Sequence, residues 1–186
     1  MNLAIFASHN GSTIDSIYPA ILKNELNLQL KIIITNNSNA NVLQKAKSYN
    51  IKHKIINSKL YTNPDQEILQ TLRKEEIECI FLAGYMKKLS PRITQNFKVI
   101  NSHPALLPKF GGKGMYGRFV HEAVIKSQER ISGVSIHEVN ENYDEGKIIL
   151  QRSLLINEDE TPQSLEARIK ELEKKVIIEA LKRCSN

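Results

Sequence analysis

The sequence predicts an α/β fold: a Rossmann-like, mainly parallel sheet with helices on both faces and a mixed C-terminal extension of the sheet. Three observations carry this. Short apolar, β-prone runs alternate with helical patterns through the first hundred positions, as strands joined by crossover helices do. The turns between them are rich in Ser, Asn and Gly. Beyond Asn101 the order changes to a Pro/Gly loop, a short helix, two neighbouring strands and a long final helix.

Taken in order, Leu3–Ala7 (LAIFA) is the first strand and Ser8–Ser12 its turn. Ile14, Ile17, Ile21 and Leu22 then follow at helical spacing, predicting one apolar stripe against the core. Leu30–Thr35 is the second strand, and Asn36-Asn37-Ser38-Asn39 is expected to break it and cap a helix over Val42–Tyr49. Lys54–Ile56 is a weaker third strand, Pro64–Glu76 a helix started by Asn63, and Cys79–Ala83 a fourth strand. The apolar run Phe97, Val99, Ile100 ends abruptly in Asn-Ser-His-Pro, which predicts a strand that stops there. A short helix is expected around Phe119–Ser127. Gly133–Val139 and Lys147–Ile156 predict a hairpin with a wide loop, Asn140–Gly146, and Pro162–Arg183 a final helix with Pro near its first turn. No repeat or long linker interrupts the chain, so the expectation is a single domain, 1–186, with a Rossmann-like half over 1–100 and a second half over 101–186.

Composition narrows the function classes. Hydrophobic residues at 41% and charged residues at 25% suit a packed soluble domain. No stretch approaches the ~20 apolar residues of a membrane span, and the N-terminus has neither a basic nor an apolar leader region. Two cysteines, Cys79 and Cys184, support neither a disulfide framework nor a zinc site, so a reducing cytoplasm is expected. The net charge of +6 would suit polyanions. Its 26 Lys and Arg are scattered and there is no Trp, so small anionic ligands fit better than nucleic acid.

In open α/β sheets ligands bind beyond the carboxyl ends of the strands. Four polar loops are expected at that edge: Ser8–Thr13, Gly84–Leu89, Asn101–His103 and Asn140–Asp144. SHNGST precedes a helix, so its N–H groups could receive a phosphate, or it could be a plain turn with Ser12 as the cap. Asn101 and His103 are two apart and so share one side of an extended chain. They could cap a strand end, with His103 at the surface. Alternatively, an amide donor and a protonated imidazole could stabilise an oxyanion, with Asp144 favouring the charged ring. Gly146 allows a tight return after Asp144. His137, alternating with Val134 and Ile136, reads as a structural histidine, and Lys87-Lys88 as solvated or as facing an anionic tail. No metal-ligand spacing or nucleophile motif occurs, which leaves acid–base and electrostatic catalysis of acyl transfer.

The segments SHNGS, LAGYMKKLSP, INSHPALLPKFGG, GVSIHEVNENYDEGKIILQ and ARIKELE, in that order, resemble the folate-dependent formyltransferase family, and within it the branch acting on glycinamide ribonucleotide in purine biosynthesis. The resemblance implies a formyl transferase with 10-formyltetrahydrofolate as co-substrate, a phosphorylated ribosyl amine as acceptor, and no metal. It implies catalytic roles for Asn101, His103 and Asp144, with His103 relaying a proton and Asp144 keeping the ring charged and oriented. It places the acceptor's phosphate and ribose on Gly11, Ser12, Thr13, Ile14, Asp15 and Glu173. It places the folate on Met86, Lys87, Lys88, Leu89, Asn101, Asn140, Glu141, Asn142, Tyr143 and Asp144. Leu107–Pro108 falls where the family has a cis peptide.

Thr13 stands where many relatives have Asn, a family arginine on the folate side has no counterpart in KLYTNPDQE, and Gly111–Gly117 is expected to be a flexible lid-side loop. Methionyl-tRNA formyltransferase and formyltetrahydrofolate hydrolase share the signature but carry an additional domain each, and with 186 residues spanning first strand to last helix neither is the expected match. An amino-sugar nucleotide or water remains the alternative acceptor. A monomer or homodimer without nucleic-acid or membrane partners is expected.

Overall fold

The computed structural model describes residues 1–185. In chain order its elements are β1 (Asn2–Phe6), α1 (Ile14–Leu22), β2 (Gln29–Thr35), α2 (Val42–Ser48), β3 (His53–Ile55), α3 (Pro64–Lys74), β4 (Cys79–Leu82), α4 (Pro91–Thr94), β5 (Lys98–His103), α5 (Arg118–Lys126), β6 (Ile131–Glu138), β7 (Ile148–Leu155) and α6 (Pro162–Ser185). The strands form a seven-stranded sheet in the order β3-β2-β1-β4-β5-β6-β7, the α/β class that the sequence predicts. The chain divides into two compact units, Met1–Ile100 with Ser185, and Asn101–Cys184.

In the first unit β1 pairs in parallel with β2 and β4, and β2 with β3. The chain winds outward from β1 to β3 and then returns to β4 on the other side of β1. Strand order therefore reverses between β1 and β4, which opens a ligand crevice at their carboxyl ends. Leu3, Ala4, Ile5 and Phe6 are all fully buried. Consecutive residues face opposite sides of a sheet, so both faces are covered there, as a parallel sheet requires.

Local chemistry starts and stops these elements, with two corrections. On α1 the buried stripe is Ile14, Ile17 and Ala20, while Leu22 is exposed. At 3.6 residues per turn Leu22 lies about 140° round from Ile17 and cannot share its face. The asparagines after β2 do not cap α2, whose N-cap, Asn41, makes no side-chain cap bond. Asn36 and Asn37 instead hold the loop after β1: Ser8 Oγ–H donates to Asn36 Oδ1 at 2.6 Å, and Asn37 Nδ2 donates to the Ser8 carbonyl at 3.1 Å. Asn63 does cap α3, its Oδ1 accepting from the Gln66 N–H at 3.0 Å, with Pro64 in the first turn. The four-residue α4 is too short to show a period and is absent from the sequence prediction.

β5 runs on through Asn101, Ser102 and His103 and ends there, where Pro104 takes up the chain. The strand thus carries the polar triplet at its end, as Pro104 directly after His103 predicts. In the second unit β6 and β7 form the expected antiparallel pair, Ile131 opposite Leu155 and His137 opposite Ile148. The return into β7 is tight: a Cβ on Gly146 would lie 1.7 Å from the Glu138 carbonyl oxygen, so only glycine fits. Among the described residues no helix is long and apolar enough to cross a membrane.

Candidate active site

The end of β5 carries a buried histidine of the second unit. His103 is 3% exposed, which overturns the alternative of a surface ring. Its Nε2 lies 2.7 Å from the Phe110 carbonyl oxygen. A carbonyl only accepts, so Nε2 carries the proton, and in the neutral ring Nδ1 presents its lone pair. That nitrogen faces Asp144 Oδ2 at 3.6 Å, within ion-pair range but longer than a hydrogen bond. Nδ1 is therefore the atom at which a proton is gained or lost.

Asp144 is held from three sides. The Gly112 N–H donates to Oδ2 at 2.9 Å, His103 approaches that same oxygen, and His137 Nε2 stands 3.4 Å from Oδ1. Asp144 and Phe110, the two residues flanking the His103 ring, have φ of 58° and 57°. Residues other than glycine seldom occupy this left-handed region, and such strain collects at functional sites. Burial alone would raise the Asp144 carboxyl, but the adjoining His137 ring, the Gly112 N–H bond and the nearby His103 ring outweigh it and hold the group below its ordinary value. It is a firm anion at neutral pH.

The ring beside it is not a standing cation. Burial pushes His103 down, and although the Asp144 charge and the Phe110 bond push back, its net shift is below the ordinary histidine value. This corrects the expectation that Asp144 keeps the imidazole charged. The carboxylate faces the Nδ1 lone pair, while desolvation keeps the resting ring neutral.

Asn101 reaches the same cluster through His137, whose Nε2 is 3.2 Å from Asn101 Nδ2. The His137 Nδ1–H donates to the Glu138 carbonyl at 2.8 Å, so the buried ring is held at both nitrogens, a satisfied histidine on β6. It is also the link between the Asn101 amide and the Asp144 carboxylate. Only one of the two amide hydrogens of Asn101 is directed at His137, and the other is available to a ligand. The structure thus brings Asn101, His103 and Asp144 together and adds His137, Phe110 and Gly112. The backbone contacts of Phe110 and Gly112 leave no mark in a sequence. Gly112 also shows that Gly111–Gly117 is anchored at its start, on Asp144. Leu107–Pro108 is cis.

Strand alternation sends Ser102 to the opposite side from Asn101 and His103. There its hydroxyl donates to Glu173 Oε1 on α6 at 2.5 Å. Burial pushes the Glu173 carboxyl up from its ordinary value, opposed by this hydrogen bond and by the Lys170 charge. The loop before Asp144 is ordered by its own side chains: Asn142 N–H donates to Asn140 Oδ1 at 2.9 Å, and Asn142 Nδ2 to Glu145 Oε2 at 2.8 Å. Glu141 and Tyr143 lie in this loop with exposed side chains.

In the first unit the loop after β1 turns into α1 without a side-chain cap, so Ser12 does not serve as one and Thr13, the N-cap, makes no cap bond. The N–H groups of Ile14 and Asp15 bond back to the carbonyls of Gly11 and Ser12 at 3.0 and 3.1 Å. Among the described residues those of Gly11, Ser12 and Thr13 take no partner, so three donors stand at the positive end of the helix. The Asp15 carboxylate points elsewhere, paired with Lys45 and accepting from Tyr49 Oη at 3.2 Å. That side chain ties α1 to α2. Ile14 is fully buried and serves packing.

Gly11 has φ of 54°, and a Cβ there would come 2.5 Å from Val42 Cγ2. Gly11→Ala is expected to cost about 2 kcal/mol of stability and to disturb the three donors. Thermal denaturation beside anion-binding measurements checks both effects.

The loop after β4 is fastened to the same turn. Met86 N–H donates to Ser8 Oγ at 2.8 Å, and Ser8 N–H to the Gly84 carbonyl at 3.2 Å. Leu89 is buried, while Met86, Lys87 and Lys88 are exposed. All four line a cavity of about 640 Å³ shared with Asn37, Lys59 and Tyr85. Burial, with Asp65 nearby, pushes the Tyr85 hydroxyl up to about 12, so it stays a neutral donor.

Comparison with known proteins matches residues 1–181 to the model of a family described as formyl transferase. The chain is 37% identical over 185 residues to the chloroplastic phosphoribosylglycinamide formyltransferase of Vigna unguiculata, covering 96% of this chain and 59% of that protein. It is 33% identical over 177 residues to the phosphoribosylglycinamide formyltransferase of Bacillus subtilis, covering 92% of this chain and 88% of the relative. The crystal structure of glycinamide ribonucleotide transformylase 1 from Geobacillus kaustophilus superposes with a TM-score of 0.90 at 29% identity, covering 100% and 98% of the two chains. The chain thus spans less than two thirds of the plant relative's length and most of the bacterial one's.

Proposed function

This chain belongs to the formyl transferase family, and on that premise we propose that it moves the formyl group of 10-formyltetrahydrofolate to the glycinamide amine of N1-(5-phosphoribosyl)glycinamide, in purine biosynthesis. One observation carries the reading: a buried imidazole whose single uncommitted nitrogen faces a carboxylate, with an amide donor joined to that carboxylate through His137. Resemblance and relatives supply the substrates, and the geometry suits the chemistry.

Attack of the amine on the formyl carbon forms a C–N bond and turns the carbonyl oxygen into an oxyanion. The free Asn101 N–H meets that charge. The attacking nitrogen becomes acidic, and His103 Nδ1, neutral at rest, takes its proton, the Asp144 charge stabilising the imidazolium as it forms. His103 then returns the proton to the folate nitrogen as the C–N bond to it breaks. The protons balance, the transfer is direct, and no covalent adduct with the chain is required.

Gly11, Ser12 and Thr13 bind the acceptor's phosphate through backbone N–H groups, and Glu173 binds its ribose. Met86–Leu89 and Asn140–Asp144 hold the folate. The chain works as a single formyltransferase domain, 1–186, in a reducing cytoplasm, in keeping with two free cysteines, as a monomer or homodimer.

The test is consumption of formyl folate by the purified chain with glycinamide ribonucleotide, an amino-sugar nucleotide or water. Turnover with the first alone is expected, and turnover with neither amine overturns the reading. Asn101→Ala is expected to lower kcat about a hundredfold with little change in either KM, because its donor is needed only when the oxyanion exists. Steady-state kinetics checks this.

A further inference from the structure

Ser102 has no part in the mechanism above, yet it sits between two residues that do. Asn101 and His103 face Asp144, and Ser102, on the other side of β5, spans 71 positions to bond Glu173 at 2.5 Å. Among the described residues it is the one hydrogen-bond donor to that carboxylate. Lys170, one turn earlier on α6, is engaged with Glu166 at 2.5 Å and leaves Glu173 to Ser102. A carboxylate has about four acceptor positions. With Oε1 held by one hydroxyl, Oε2 and the remaining lone pair of Oε1 are aimed in a fixed direction and unfilled. The carboxyl is largely desolvated while the residue keeps some exposure, so a ligand that meets these acceptors replaces little water.

We propose that Ser102 is a positioning residue that fixes the rotamer of Glu173, so that its unfilled acceptors meet the two vicinal hydroxyls of the acceptor's ribose. A fixed carboxylate accepts both O–H groups of a vicinal diol, whereas a rotating one is ordered only on binding and gives up that ordering entropy. The same strand end thereby holds the ribose through Ser102 and Glu173 and the reacting centre through Asn101 and His103. Ser102 acts on recognition of the acceptor and on discrimination against a deoxyribosyl amine. The inference rests on Glu173 as the ribose contact.

The experiment uses the full chain as wild type, Ser102→Ala, Ser102→Thr and Glu173→Gln. Glycinamide ribonucleotide and its 2-deoxyribosyl counterpart serve as acceptors, with steady-state kinetics and calorimetric acceptor binding as readouts. Ser102→Ala is expected to raise KM and Kd for the ribosyl acceptor about tenfold, to shrink the preference over the deoxy acceptor, and to leave kcat and the folate KM within about twofold. Ser102→Thr, which keeps the hydroxyl, restores the wild-type preference. If Glu173→Gln weakens ribosyl binding but Ser102→Ala leaves binding and preference unchanged, Ser102 is not the positioning group. A fall in thermal stability with no change in preference marks Ser102 as a packing residue and overturns the proposal. If Glu173→Gln itself changes neither binding nor preference, the ribose assignment fails first and the inference with it.

Discussion

Asp144→Asn is expected to lower kcat for formyl transfer by about three orders of magnitude, with acceptor and folate KM changed severalfold at most. Two losses combine. The carboxamide has no charge to stabilise His103 as it takes the amine's proton, so the imidazolium forms against desolvation alone. The amide is also mis-set: its oxygen can still accept from the Gly112 N–H, which places its NH2 where Oδ1 stood, against His137 Nε2. There it competes with Asn101 Nδ2 for the same nitrogen and unsettles the oxyanion donor. Single-turnover kinetics with saturating substrates, beside a melting curve showing that the variant is folded, checks the result. A loss below tenfold would sink the role given to the carboxylate.

His103→Ala is expected to cost a similar factor of about a thousand in kcat, since it removes the group proposed to take and return the proton. The wild-type pH profile follows from the direction of its shift. His103 is held below the ordinary value of about 6.5, so its neutral, proton-accepting form persists as pH falls through that value, and kcat/KM declines only further into acid. The same shift has a stability sign. In the folded chain the ring binds a proton less readily than in the unfolded one, so the stability it contributes is present above the ordinary histidine value. It is lost as pH falls from there through the folded value. His121, also buried and held low, adds to this slope. Melting temperature measured from pH 7.5 down to 5 should fall, and less steeply in His103→Ala. An acid limb of kcat/KM at or above the ordinary histidine value would contradict the neutral resting ring.

Much of this site was legible before folding was considered. The Asn63 cap, the alternation of strand and helix, and the hairpin around Asn140–Gly146 follow from residue spacing. So does the common side shared by Asn101 and His103. Asp144 was a candidate because a carboxylate followed by Gly146 marks a tight return. Two departures have local explanations: Leu22 rotates away from the buried face of α1, and the asparagines after β2 bond Ser8 across the loop instead of capping α2.

The sequence by itself determined the seven strands, the helices long enough to show a period, and which polar side chains end β5, because those depend on backbone sterics and on periods a few residues long. Only the tertiary structure decided that His103 is buried and neutral, which of its nitrogens is free, that His137 joins Asn101 to Asp144, and that Ser102 meets Glu173 across 71 positions. The reason is physical. Proton affinity and tautomer are set by desolvation and by partners a few ångströms away, and the groups that supply these are brought close only by the folded chain.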